Sequence, residues 1–584
     1  MLRHPWRLAA GVVLGLIVLL GAYTAWLVLK VEHSLTAAVH DADGLKAAMT
    51  DGDTAGVTAR LSSLRTDSSA AAGKTDSFVW GLAEHLPVYG DDLTGVKVAS
   101  HVVADLSKGD LPQLANAVGQ LKQLAPKDGK IDLGTVRRLQ APVARAAAQL
   151  ADARTRLDAE NPAGYVGALK TRFRALQQQV GDAADALGSA DRALQVMPAM
   201  LGGDGTKSYL LILQNNAEIR ATGGLPGAVS LITATDGRIA MTEQVAGSAL
   251  GERSGGPVLP LTREETTLFH QQLGTYFLDA NLTPDFERSS DLWKARWEEV
   301  EGGHVDGVLS IDPVTLSYLL KATGPITVPG RDVTITSANV VDQLLHQTYL
   351  DYPNPADQDA FFRDVAAAVF AKATAGAGNP EQVIAALAQG ADEHRVYVHD
   401  FDAAVQKRLD GTAVAGQFVT TSSTTPVVNV ALNDSTGAKM SYYLRYDTEV
   451  SSDYCTHGVQ GLTGKIHIAS TAPASAADLP DYITGGGTYG VPKGGQIVMM
   501  TVAGPVGGTV GNVLINGKPN DEVTLGTLEG RPTAQIYFYL SPGKTWDVSW
   551  QMKTGAGQTG ATQVDVTPSI VSGNSSSTVT SSCS

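Results

Sequence analysis

Between Leu8 and Leu29 the chain carries no charged residue and is almost entirely apolar. A helix rises about 1.5 Å per residue, so this run is long enough to cross a hydrocarbon core of about 30 Å. Arg3 and Arg7 precede it, Lys30 and Glu32 follow it, and Trp6, Tyr23 and Trp26 stand near its ends, where aromatic rings favour the interface. These features predict a cytoplasmic tip and transmembrane signal anchor over residues 1–30, placing the rest of the chain outside the cell membrane. A cleaved signal peptide is the competing reading. It calls for a shorter apolar region closed by a small-x-small site, whereas Gly21-Ala22-Tyr23-Thr24-Ala25-Trp26 runs straight on into Leu27-Val28-Leu29. No later segment is apolar for long enough, so the expected localisation is single-pass in the cell membrane with the bulk extracytoplasmic.

With 584 residues the external part has room for about three units of ordinary domain size. A net charge of -15 argues against nucleic acid, whose phosphates reward a basic surface, and is explained by solubility alone. Only two cysteines occur, Cys455 and Cys583. An oxidising compartment permits a disulfide between them that would tie a Ser-rich tail to the body, and the Cα separation that decides it is not legible in sequence.

From residue 31 to 205 the chain is rich in Ala, Leu, Gln and Asp, with apolar residues at helical spacing, as in Val136, Leu139, Val143, Ala147 and Leu150. Breaks at Gly90-Asp91-Asp92, Pro126-Lys127-Asp128-Gly129 and Asn161-Pro162 predict an antiparallel helical bundle, a stalk on the membrane. At Lys207 the texture changes. Tyr209 to Leu213, Gly227 to Thr235 and Gly307 to Ile311 read as strands, and helices are expected between and after them, which implies an α/β sandwich over residues 206–415. After a polar linker at 416–425, Val427 to Leu432 and Met440 to Tyr446 flank a turn and read as a hairpin, the start of a β-sandwich over 426–568. Residues 569–584 are mostly Ser, Thr and Gly and should be disordered unless Cys583 is bridged. The fold expected is therefore multidomain α+β: transmembrane helix, helical bundle, α/β sandwich and C-terminal β-sandwich.

Gln214, Asn215, Asn216, Glu218, Arg220, Thr222, Gly223 and Gly224 concentrate amides, a carboxylate and a guanidinium between two strands, at a strand end where open α/β sheets place ligands. Arg220 suits phosphate or carboxylate, and the glycines let backbone approach a ligand. The same residues read equally well as a strand connection in which Asn and Gly serve turn geometry and Glu218 pairs with Arg220.

LLILQNNAEIRATGGLPGAVSLITATDGRI, then NLTPDFERSSDLWKARWEEVEGGHVDGVLSIDPVTLSYLLKATGPITV, and later LNDSTGAKMSYYLRY, resemble the DUF4012 family, membrane-anchored proteins of uncharacterised function common in actinobacteria. A weaker resemblance links the order strand, Arg-containing loop, strand, Asn and helix, then VDGVLSIDP, to the LytR-CpsA-Psr phosphotransferases. It implies a LytR-CpsA-Psr-like α/β domain and the transfer of a polyprenyl-diphosphate-linked glycan to the cell wall with magnesium or manganese. Under it, Glu218, Arg220 and Arg288 are the catalytic candidates, and Asn281 and Arg288 join the loop as ligand-binding candidates. The Arg-Asp-Thr segment of those enzymes has no counterpart here, and Asn216 stands where they keep an Asp, which removes a carboxylate from the metal site.

Other constellations are weaker. Asp285 and Asp312 suit helix caps, Trp293 and Trp297 at a spacing of four suit a core, and His394 and His399 lack a third metal ligand. No cofactor is predicted outside the transferase alternative. The expectation is an extracytoplasmic binding or scaffold protein of envelope or surface-glycopolymer assembly, whose partners are the membrane and an anionic glycan, a polyprenyl-linked lipid or envelope proteins. A divergent phosphotransferase is the alternative.

Overall fold

A computed structural model describes residues 54–87, 89–109, 122–520, 522–573 and 575–583. Among these, the chain divides into two compact units, one of helices reaching Pro198 and one of Ala125–Ile131 with everything from Ala199 onward.

The helical unit contains α1 (Thr54–Thr75), α2 (Phe78–Ala83), α3 (Gly90–Lys108), α4 (Leu133–Asp158) and α5 (Gly167–Met200). Asp132 caps α4, its carboxylate accepting from Gly134 N at 3.0 Å and Thr135 N at 3.2 Å. The apolar stripe of α4, including Leu150, Ala153 and Leu157, buries against Val102 and Leu106 of α3 and Phe173 and Val180 of α5. The opposite faces carry exposed ion pairs, Arg154 to Asp185 and Arg156 to Asp105.

The expected fold needs a correction at its first element. No helix among the described residues is long and apolar enough to cross a membrane. The long helices α4 and α5 are striped rather than apolar all round, with charges such as Arg154, Arg156 and Asp185 on their outer faces, and such a helix suits a water-bathed bundle. The Leu8–Leu29 run, predicted to span, lies outside the described residues. The architecture is multidomain α+β with β-sheets.

The second unit begins with a five-stranded mixed sheet in the order β3-β2-β1-β4-β7, formed by β1 (Lys207–Asn215), β2 (Leu225–Thr235), β3 (Arg238–Ala246), β4 (Gly307–Ile311) and β7 (Tyr397–Asp400). β5 (Ile326–Thr327) and β6 (Thr334–Ile335) form a small separate ladder. β1 runs parallel to β4, which demands a long crossover; it includes α6 (Arg263–Phe269) and α7 (Phe286–Val300). Leu210, Ile212, Val229 and Val308 share a core with Phe286, Trp293 and Trp297, so the tryptophans are interior. Further helices are α8 (Pro313–Thr323), α9 (Pro355–Thr374) and α10 (Pro380–Asp392).

Two more sheets follow. One is five-stranded in the order β13-β12-β16-β10-β9, with β9 (Leu444–Thr456), β10 (Val459–Ser470), β12 (Thr509–Ile515), β13 (Lys518–Pro519) and β16 (Thr545–Lys553). The other is six-stranded in the order β14-β15-β11-β8-β17-β18, with β8 (Val427–Asp434), β11 (Gln496–Ala503), β14 (Thr524–Leu528), β15 (Arg531–Leu540), β17 (Thr562–Val566) and β18 (Ser576–Val579). Val498, Met500 and Val502 of β11 point into the core between these sheets, while Met499 and Ala503 point into the core of the α/β layer. A strand apolar on both faces needs cover on both sides, so the α/β layer and the β-sheets, read from sequence as successive domains, make one unit. The expected hairpin is not formed: β8 and β9 lie in different sheets, and a 3-10 turn at Lys439–Tyr443 separates them.

Cys455 and Cys583 form a disulfide across 128 residues, with Cα atoms 5.0 Å apart, which ties the tail to the body. β18 pairs with β17, and the buried Arg395 guanidinium donates to the carbonyls of Ser569 and Val571 at 2.7 and 2.6 Å. Closing a loop of that length should contribute about 3–5 kcal/mol. Urea unfolding of the Cys455→Ser variant is expected to show that loss relative to the unmodified chain, with no further drop when reductant is added to the variant.

His399 on β7 is buried, its Nδ1 has no hydrogen-bond partner, and burial pushes its imidazole down to about 4. A group whose folded value lies below its unfolded value of about 6.5 costs stability as pH falls between the two, here up to about 3 kcal/mol in all. Unfolding midpoints measured at pH 7 and pH 4.5 should therefore differ by less in His399→Phe than in the unmodified chain.

Candidate functional site

β1 ends in a bulge between Leu213 and Gln214, and nine residues later the chain returns as β2. The connection is shaped locally. Asn215 Oδ1 accepts from Ala217 N at 3.0 Å, and Leu225 N donates to Glu218 O at 2.9 Å. Gly223 has φ of 134°, and a Cβ on Gly224 would stand 2.3 Å from the Asn215 carbonyl carbon, so a side chain is excluded there by backbone.

The loop is not an open pocket. Gln214, Asn216, Glu218, Arg220, Thr222 and Asn281 are all buried. Its backbone is hydrogen-bonded to β8, to the 3-10 turn after it and to the residue that follows β17: Ala221 N to Asn433 Oδ1 at 2.8 Å, Asp434 N to Ile219 O at 2.9 Å, Ser441 N to Ala217 O at 3.0 Å, and Thr567 Oγ1 to Ala221 O at 2.9 Å. Gln214 holds the loop from within, its Oε1 accepting from Gly224 N at 2.8 Å and its Nε2 donating to Ser310 Oγ at 2.5 Å. Asn216 reaches Asp312 Oδ2 at 3.2 Å, Asn215 reaches the Tyr349 hydroxyl at 2.5 Å, and Asn281 Nδ2 donates to Thr222 Oγ1 and Gly224 O at 2.8 and 2.9 Å.

The charges pair with each other. Arg220 Nη2 lies 3.2 Å from Glu218 Oε1 and 2.9 Å from Asp279 Oδ1, while the second Glu218 oxygen takes Lys439 Nζ at 2.9 Å. Lys439 also lies 5.3 Å from the Tyr349 ring centre and 5.0 Å from that of Tyr482. Burial pushes the Glu218 carboxyl up, but Lys439 and Arg220 together bring it below the ordinary carboxylate range. At Asp279 burial outweighs Arg220 and the carboxyl is raised. Burial, reinforced by the Glu218 charge, pushes Asp434 up to about 6. Arg220 Nε, Asn216 Oδ1 and Asn281 Oδ1 find no partner within the protein, a shortfall of the kind that ordered water satisfies.

The structure thus gathers Glu218, Arg220 and Asn281 around the loop, but not Arg288. That guanidinium lies on α7 and is taken by Glu265 of α6 at 2.6 Å and by Pro260 O at 2.7 Å. Sequence reasoning missed Asp279, Asn433, Asp434 and Lys439. The signal for three of them lay in Asn433-Asp434-Ser435-Thr436-Gly437-Ala438-Lys439, which the turn chemistry of Asn, Asp and Gly disguised as a hairpin. Asp434 does make a turn, its Oδ2 accepting from the amides of Thr436, Gly437 and Ala438, yet the turn delivers Lys439 to Glu218.

The donor set does not fit a divalent metal. Both Glu218 oxygens face cations and the Asp279 oxygen that enters the network faces Arg220, so a second positive charge at these carboxylates would be repelled. Among the described residues no group of three or more His, Cys, Asp or Glu is placed to hold an ion.

Removing one member of a buried ion network leaves the others uncompensated, which costs about 3–5 kcal/mol, against at most about 1 kcal/mol for an exposed pair. Arg220→Met should lose stability of the first size in denaturant titration, and Asp185→Ala, which breaks the exposed pair with Arg154, should lose no more than the second.

Residues 204–349 match the model of a family described as "Protein of unknown function (DUF4012)", which supports the family likeness read from the sequence; the match takes in the loop and ends at Tyr349. No curated protein and no solved structure matches the chain.

Proposed function

We propose that this chain is an extracytoplasmic binding and scaffold module of cell-envelope or surface-glycopolymer assembly, and that its LytR-CpsA-Psr-like loop has become an internal fastening rather than a catalytic site. The observation that carries this reading is the inward turn of Arg220, which meets Glu218 and Asp279 while buried and so has no open face for a pyrophosphate. A transferase needs those charges free until substrate arrives, because only interactions gained in the transition state accelerate the chemical step. An extracytoplasmic place is supported by the Cys455–Cys583 disulfide, since such bonds persist where the surroundings are oxidising.

The test is direct. The full chain, incubated with a polyprenyl diphosphate and magnesium or manganese, should release phosphate no faster than a protein-free blank. Release above the blank that falls away in Glu218→Gln, in a variant still folded by circular dichroism, would establish the phosphotransferase instead.

A further inference from the structure

The C-terminal segment is held by hydrogen bonds rather than by apolar packing. Val564 and Val566 of β17 enter the core between the sheets. Beyond them, neither Ile570 nor Val571 is part of an apolar core among the described residues, and Val571 is 44% exposed. Arg395 donates through Nη1 to Ser569 O at 2.7 Å and through Nη2 to Val571 O at 2.6 Å. Gly573 N donates to Glu393 Oε2 at 3.1 Å, and Ser576 Oγ to Asp392 O at 3.0 Å. Alternate residues thus present backbone groups to two side chains. Ser569 makes the bend between the first two, its Oγ accepting from Val571 N at 3.0 Å.

The receiving side is fixed by other parts of the fold. Arg395 donates through Nε to Glu393 at 2.7 Å and through Nη1 to Asp312 at 2.7 Å, while Glu393 accepts from the Tyr318 hydroxyl at 2.9 Å and from Gln389 at 2.9 Å. A guanidinium and a carboxylate oriented in this way make a preorganised site. It lies where open α/β sheets place ligands. Asp312 follows β4 at the carboxyl end of the parallel pair β1 and β4, and Pro568 lies over Gly223, 3.4 Å from where a Cβ would stand.

The segment does not fill the groove it lies in. A cavity of about 490 Å³ remains between Ala385, Ala388 and Gln389 of α10 and Gly573, Ser575 and Ser576 of the segment. Contact of this kind, polar and loosely packed, resembles a bound ligand more than a core. The Cys455–Cys583 bond keeps the far end of the segment nearby, so the chain's own segment is present at a high effective concentration. The peptide whose fit to the groove is visible here is carried by every other copy of the chain.

We propose that this groove is a peptide-binding site, filled in a single copy by its own C-terminal segment, and that the same segment of a second copy replaces it once Cys455–Cys583 is opened, joining two copies by reciprocal exchange. A dithiol opens the bond: its two sulfurs are oxidised to a disulfide, and Cys455 and Cys583 each take a proton. Exchange keeps every contact of the groove and changes only which copy supplies the segment, so its cost is that of association. The proposal goes beyond the scaffold reading and does not depend on it.

The test uses the full chain, oxidised or reduced with dithiothreitol, and a fluorescent peptide of residues 568–584 carrying Cys583→Ser, followed by anisotropy and by sedimentation velocity. The peptide is expected to bind the reduced chain about tenfold or more tightly than the oxidised chain, and N-methylation of Gly573 in the peptide, which removes the donor to Glu393, should weaken binding about tenfold. The reduced chain alone should form dimers as its concentration rises, and excess peptide should return them to monomers. No binding to the reduced chain, equal binding of the N-methylated peptide, or a reduced chain that is monomeric at every concentration would overturn the proposal. Hydrogen exchange on the oxidised chain gives a readout that does not depend on folding after reduction. The Gly573 amide should exchange through smaller openings than the amides of β17, and exchange only together with β17 would also overturn the proposal.

Discussion

Glu218 sits inside the protein between two cations, Lys439 on one oxygen and Arg220 on the other, and the second unit is organised around that pairing. Its members come from separate stretches of chain: Glu218 and Arg220 from the loop after β1, Asp279 from the crossover before α7, Lys439 from the turn after β8. Taking such groups out of water is costly, and only close mutual pairing offsets the loss. The geometry is met when the loop is threaded between the α/β layer and the six-stranded sheet. Burial thus fixes the register of the two layers. A buried ionic network of this kind is better understood as specifying an arrangement than as adding net stability.

The apolar side of the same constraint is β11. Its alternate residues enter two cores, Val498, Met500 and Val502 between the β-sheets and Met499 and Ala503 against the α/β layer. The network and β11 reinforce each other, since Val498 of β11 pairs with Asp434 and Met499 with Asn433, the two residues that receive the loop. Beside the loop Arg395 has an analogous place. It is fully buried, pairs with Asp312 at 2.7 Å and Glu393 at 2.7 Å, and holds the C-terminal segment by two carbonyls. Asp312 also receives Asn216, so the tail and the loop share a partner.

Local signals in the sequence were legible where one element's own residues decide the outcome. The apolar runs at Tyr209 to Leu213 and Gly307 to Ile311 lie within β1 and β4, and Asp285 and Asp312 cap the helices that follow them. Trp293 and Trp297, four apart, are core residues as that spacing suggests. Pairings between distant segments were not legible. Nothing in Lys439 announces Glu218, 221 residues earlier, and nothing in Arg288 distinguishes a phosphate grip from its bond to Glu265. The loop itself admitted two readings of equal weight, and the structure shows the pairing of Glu218 with Arg220 in the second of them together with partners outside the loop. Hydrophobic pattern fixes an element's type, whereas the partner of a buried charge is set by tertiary proximity.

The central claim is that the Asn216 to Gly224 segment belongs to the structural core. Ligand-binding loops come from the low-stability end of a protein and exchange their amide hydrogens through small local openings. Native-state hydrogen exchange on the full chain, read by nuclear magnetic resonance or by fragment mass spectrometry, separates the two cases. The account predicts that the amides of Glu218, Ile219 and Ala221, bonded to Asn215 O, Ser441 Oγ and Asn433 Oδ1, exchange only with the same opening free energy as β8 and β11. Exchange of those amides well ahead of the two strands would show a mobile loop, and would contradict it.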